Sequence, residues 1–152
     1  MEEFKKILYP VALTEISPKV APSVRMLAKQ LDAQVYLLHV VRRFDWFVDT
    51  YVEEQPKPDF KRIASDFEGQ MMQQTKHKLE AFKQKYLKDI RIESTDVVTG
   101  THYKRILEYV DEKKIDLIIM GTGSTVPKMI FGSVAEKVSR LSEVPVMLVK
   151  ID

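Results

Sequence analysis

The run Leu117-Ile118-Ile119-Met120 constrains this chain more than any other stretch, because four consecutive apolar residues stand between Asp116 and Gly121-Thr122-Gly123-Ser124-Thr125. A short run with no polar face suits a strand covered on both sides, and such strands belong to parallel sheets with helices above and below. The glycines that follow permit backbone conformations and close approaches that a side chain would block. Gly132-Ser133-Val134-Ala135-Glu136 then opens a helix. Ser133 with Glu136 three residues on is a capping-box pattern, and Ala135, Val138 and Leu141 fall at helical spacing. A helix start behind Gly-Ser presents unpaired N–H groups and the positive end of a dipole, a setting suited to phosphate. The same residues equally serve a capped helix with no ligand.

The rest of the chain repeats the alternation. Phe4-Lys5-Lys6-Ile7-Leu8-Tyr9-Pro10-Val11-Ala12 reads as a first strand, ended by Pro10, which cannot donate to a ladder. Ser17-Pro18 announces a helix with Val20, Val24, Leu27, Ala28 and Leu31 on one face, and Pro22 is expected in its first turn or before its start. Gln34-Val35-Tyr36-Leu37-Leu38-His39-Val40-Val41 is a second strand, too continuous for a wet face, and His39 within it reads as a packed, hydrogen-bonded core residue. A connection carrying Phe44, Trp46, Phe47, Val48 and Tyr51 follows, its aromatics either folded back on the core or offered to a pocket or partner. From Asp59, as cap, to about Leu87 runs a long helix whose stripe of Phe60, Ile63, Phe67, Met71, Leu79, Phe82 and Tyr86 is expected to be core. Arg91 to Val98 makes a third, more exposed strand. Gly100-Thr101 opens a helix with Tyr103, Ile106, Leu107 and Val110, and Val144-Pro145-Val146-Met147-Leu148-Val149 closes the chain as a last strand.

Five strands alternating with four helices predict an α/β, doubly wound, five-stranded parallel sheet with four main helices and right-handed crossovers, a Rossmann-like sandwich forming one domain over 1–152. Ligands of such folds collect at the carboxyl ends of the strands where the strand order reverses. That rule nominates the ends of strands one, two and four as a pocket wall: Pro10 to Leu13, Val40 and Val41, and Met120 to Thr125.

Composition removes several functional classes. With 24 Lys plus Arg against 22 Asp plus Glu, the net charge of +2 gives no strong positive field, so nucleic acid is not an expected partner. Zero cysteines exclude disulfides, thiol catalysis and thiolate metal sites. No signal peptide or membrane-length apolar run is present, which points to a soluble cytoplasmic protein and no membrane partner. Three scattered histidines build no catalytic constellation and no metal centre. Gly121-x-Gly123 lacks the further glycine of a dinucleotide fingerprint, since Val126 stands there, and no Gly-Lys-Ser/Thr loop occurs.

Six pieces in order resemble the universal stress protein family. They are Lys5-Lys6-Ile7-Leu8-Tyr9-Pro10, Leu37-Leu38-His39-Val40, Val98-x-Gly100, Asp116-Leu117-Ile118-Ile119-Met120-Gly121, Gly132-Ser133-Val134-Ala135-Glu136-Lys137-Val138 and Val144-Pro145-Val146. The resemblance covers essentially the whole chain and implies the adenine-nucleotide α-hydrolase-like sandwich. Some family members bind ATP through a loop of Gly, two residues, Gly, nine residues, Gly, Ser or Thr. Gly121, Gly132 and Ser133 match that pattern. Ser124 stands at the second glycine, Gly123 comes one residue early, and the loop is two residues shorter. Ala12 replaces the family's nucleoside-contacting acid. Losing such an acceptor costs roughly 1.5 to 3 kcal/mol, about one to two powers of ten in affinity.

The resemblance thus implies ATP or another adenine nucleotide, with Mg2+, held by Pro10, Val11, Ala12, Val40, Val41, Met120, Gly121, Gly123, Ser124, Lys128, Gly132, Ser133 and Val134, as a sensed ligand without a catalytic residue. It also implies a homodimer through the apolar last strand from Val144 to Val149. Two alternatives stay open: a ligand-free interaction module acting on an unknown protein partner, and a slow nucleotide hydrolase for which no base can be named.

Overall fold

The apolar runs of the sequence become the strands of one parallel sheet in a computed structural model of the chain, which describes residues 3–13, 16–42, 58–122 and 133–151. The elements are β1 (Lys6–Pro10), α1 (Ile16–Leu31), β2 (Gln34–Val41), α2 (Pro58–Tyr86), β3 (Ile92–Thr99), α3 (His102–Lys113), β4 (Leu117–Thr122), α4 (Ser133–Leu141) and β5 (Val146–Lys150). All neighbouring strands run parallel in the order β3-β2-β1-β4-β5. The order reverses between β1 and β4, as expected of a doubly wound sheet.

Alternation along each strand sends successive side chains to opposite faces and so builds two cores. Ile7, Tyr9, Val35, Leu37, Leu117 and Ile119 pack against Val20, Val24 and Ala28 of α1 and Leu79 and Phe82 of α2. Leu8, Tyr36, Leu38, Val40, Ile118 and Met120 pack against Ile106, Tyr109 and Val110 of α3 and Ala135 and Val138 of α4. Burying each such side chain is worth roughly 1.5 to 3 kcal/mol.

Several boundaries differ from the expectation. Pro22 lies well inside α1, which starts at Ile16. The proline deletes one helical hydrogen bond near the amino end, while the burial of Val20, Ala21 and Val24 holds the helix through it. α2 begins at Pro58, so Asp59 lies in its first turn. β5 starts at Val146, because Pro145 serves the sheet with its carbonyl alone, accepting from the Ile118 amide at 3.0 Å. β3 runs one residue further than expected, to Thr99. The side chain of Ser133, which the expected capping box needs, lies outside the described residues; Glu136 accepts from Arg140 at 3.0 Å.

The largest correction concerns α2. Leu79 is fully buried and Phe82 nearly so, but Met71, Phe67 and Ile63 are 40, 48 and 64% exposed, rising toward the amino end. Steps of four residues overshoot a full turn by about 40°, so this apolar ridge winds progressively off the core face. At 29 residues α2 is also about 43 Å long, against about 26 Å for the eight residues of β2. Its amino-terminal half therefore extends beyond the strand it follows. The aromatic connection from Phe44 to Tyr51, and the side chain of Phe60, lie outside the described residues.

Candidate functional site

The crevice begins with a proline. The Val11 amide donates to the Leu38 carbonyl of β2 at 2.7 Å, and the Lys6 carbonyl accepts from Asp116 at the entry to β4. Odd residues of β1 thus face β2 and even ones face β4, which aims the nitrogen of Pro10 at β4. It has no hydrogen to give. Accordingly β1 pairs with β4 only at Ile7 with Leu117 and Leu8 with Ile118, whereas its register with β2 runs on to Pro10 with Leu38. The β1–β4 ladder is thus made at its amino end and stops before the carboxyl ends of the two strands. That is where the strand order reverses.

The predicted wall belongs to these strand ends. Val11, Val40 and Met120 are buried at 3, 4 and 7% exposure, Pro10, Val41 and Gly121 are half-buried, and Ala12 is exposed at the turn. Val134, in the first turn of α4, packs on the same core cluster as Val40 and Met120. Ser133 is the first residue of that helix, and its side chain lies outside the described residues. Gly123, Ser124, Lys128 and Gly132 also lie outside them. The structure therefore brings Val40 and Met120 together with Val134 of α4 in one apolar cluster, whereas Val11 packs in the other core.

Two histidines stand at the same strand ends. His39, half-buried in β2, approaches the Val11 carbonyl with Nδ1 at 2.6 Å. His102 opens α3 and bonds the Val40 backbone. Its pKa falls below the usual 6.5, chiefly because burial disfavours the charged ring and then because His39 and Arg42 lie near, with the bond to Val40 opposing. Neither contact is visible in spacing, since His39 and Val11 are 28 residues apart. The clue available was that His39 is the polar interruption of an otherwise apolar face at the strand's carboxyl end.

A third polar group sits away from the crevice, on β3. The Tyr109 hydroxyl donates to Asp96 at 2.7 Å and lies 2.7 Å from the Ser94 hydroxyl. Burial first, and Asp96 beside it, raise the Tyr109 pKa well above the ordinary phenol value, so it stays a donor. Among the described residues no group of three or more acidic or histidine side chains is placed to hold a metal ion. No helix described is long and apolar enough to cross a membrane.

The model of the universal stress protein family matches residues 3–150. The chain belongs to that family. Among curated universal stress proteins of Methanocaldococcus jannaschii, MJ0531 is 30% identical over 149 residues, covering 97% of this chain and 82% of the relative. MJ0577 from the same organism is 28% identical over 155 residues, covering 97 and 95%. The solved structure of MJ0577 superposes with a TM-score of 0.79 at 26% identity, over 99% of each chain. Two more distant universal stress proteins share the fold: one solved in complex with cAMP, at 18% identity and TM-score 0.58, covers 98% of each chain. The other, from Archaeoglobus fulgidus in complex with dAMP, has 15% identity and TM-score 0.56, covering 97% of this chain and 98% of that one.

Proposed function

We propose that this universal stress protein binds an adenine nucleotide, ATP with Mg2+ as the leading ligand, at the carboxyl ends of β1 and β4, and acts as a sensing domain without turnover. The observation that carries the reading is the short β1–β4 ladder, which stops after Leu8 with Ile118, at the strand ends where Val40 and Met120 share one apolar cluster with Val134 of α4 and Val11 packs in the other core. A purine seats on such a wall, and phosphates suit the helix start with Gly132 and Ser133, Lys128 and Ser124 completing the loop. The nucleotide complexes of the two distant family members support the ligand class. With Ala12 at the acid's place, affinity falls below that of the members that keep the acid, by about one to two powers of ten.

The test is calorimetric titration of ligand-stripped protein with ATP and Mg2+. Saturable micromolar binding that weakens in Gly132→Ala or Ser133→Ala supports the reading. No heat up to millimolar ATP overturns it, and sustained hydrolysis abolished by Ser133→Ala would overturn its non-enzymatic part.

A second reading, an interaction module for a protein partner, is favoured by the exposed ridge of Ile63, Phe67 and Met71. Either reading includes a homodimer through the last strand, since β5 pairs with β4 on one side and ends the sheet on the other.

A further inference from the structure

Beyond Pro10 the chain leaves the sheet, yet Val11 is still held to β2 through both of its backbone groups. Its amide donates to the Leu38 carbonyl at 2.7 Å, one rung past the end of β1. Its carbonyl lies 2.6 Å from Nδ1 of His39. In a parallel ladder that carbonyl ordinarily takes the amide two residues further along the partner strand, here Val40. A side chain thus occupies the position of the next rung. Because a carbonyl only accepts, Nδ1 carries the proton, in the neutral ring as in the imidazolium.

Replacing a rung by an imidazole has a geometric consequence. A backbone rung would hold residues 12 and 13 in line with β2. The histidine satisfies the carbonyl while leaving the chain to turn away toward α1, and an unpaired carbonyl at this place would cost about 1 to 3 kcal/mol. Val11 is buried and Leu13 packs against the first core, so the turn is anchored on both sides of Ala12, which faces outward at the crevice.

We propose that His39 is a positioning residue for the candidate site: its Nδ1–H bond to the Val11 carbonyl fixes the turn through Ala12 and Leu13 as the crevice wall on the β1 side. Its effect on affinity rests on the nucleotide reading, and its effect on the turn does not.

Three substitutions separate donor placement from bulk. Asparagine puts an amide donor near the place of Nδ1, glutamine puts one near Nε2, and leucine offers none. Amide hydrogen exchange at Val11, Ala12 and Leu13 is followed by NMR, and Mg-ATP affinity by calorimetry. Losing one hydrogen bond corresponds to about tenfold. His39→Leu and His39→Gln are expected to speed exchange at the turn, and to weaken Mg-ATP, by about that factor. His39→Asn is expected to restore both to within about twofold. Equal behaviour of the three variants, or unchanged exchange in His39→Leu, overturns the proposal. If the wild-type chain takes up no Mg-ATP, the nucleotide reading fails while the exchange pattern still decides the role of His39. Should the variants not fold, the imidazole nitrogen spectrum of the wild type decides: a proton on Nδ1 supports the assignment, and a neutral ring protonated only on Nε2 overturns it.

Discussion

One oxygen of Asp116 accepts the amides of both Lys5 and Lys6, at 3.0 and 2.9 Å, and so ties the entry of β1 to the entry of β4. Asp116→Ala leaves both donors without that acceptor, and urea unfolding should register a loss of about 1 to 3 kcal/mol. Asp116→Asn, which keeps one acceptor oxygen, should lose less. His102 sets a different kind of expectation. Its native pKa lies below the unfolded value of 6.5, so the folded chain binds fewer protons than the unfolded one in the interval between them. Stability from this group is complete above about pH 6.5 and is lost as the pH falls through that value toward the native one. Thermal melts between pH 7.5 and 5, conditions chosen to bracket that 6.5, should decline more steeply for the wild type than for His102→Gln. Identical slopes would remove His102 as the cause. The sequence shows at this scale which residue types sit at strand ends. It does not show that His39 reaches Val11 or that Asp116 reaches Lys5, because those partners are 28 and 111 residues away.

Among the elements, the strands were legible because β-branched and aromatic runs mark them and because covered strands carry no polar face. Helix faces were legible in α1 and α3 for the same periodic reason, and in α4 at Ala135 and Val138, though Leu141 at its end is exposed. α2 was legible only in its second half, since spacing reports which residues share a face and not whether anything lies against that face. The two halves should respond differently to mutation. Phe82 packs edge-on to Tyr9 at 6.0 Å and against Tyr86 at 4.9 Å, and Phe82→Ala should cost about 3 to 5 kcal/mol. Phe67→Ser, on the 48% exposed ridge, should stay within about 0.5 kcal/mol in the same denaturation assay. A large loss at Phe67 would mean the ridge is covered in solution. Of the candidate site, topology places Pro10, Val40 and Met120 at the strand ends beside the reversal of strand order, and their part in a pocket belongs to the proposal. The loop that departs from the family pattern at Ser124 lies outside the described residues, so its part in the site rests on the sequence.

At the scale of the whole molecule, β5 forms one edge of the sheet among the described residues, with Met147 40% exposed on it. A lysine there places charge on the surface that would meet a second copy, so Met147→Lys should shift sedimentation from dimer to monomer at micromolar concentration with little change in melting temperature. A wild-type monomer under those conditions would remove the dimer. The two rungs between β1 and β4 bear on the molecule differently. The halves β3-β2-β1 and β4-β5 share few backbone bonds, but residues of both, Ile7, Leu37 and Ile119 among them, lie in one apolar cluster with Val20, Val24 and Leu79. Hydrogen bonds fix a spacing to within a few tenths of an ångström, whereas apolar contact is non-directional and yields to small displacements. A crevice bordered by oily layers more than by rungs can therefore adjust its width at modest cost, and a domain so built tolerates occupants of different girth without rebuilding its scaffold.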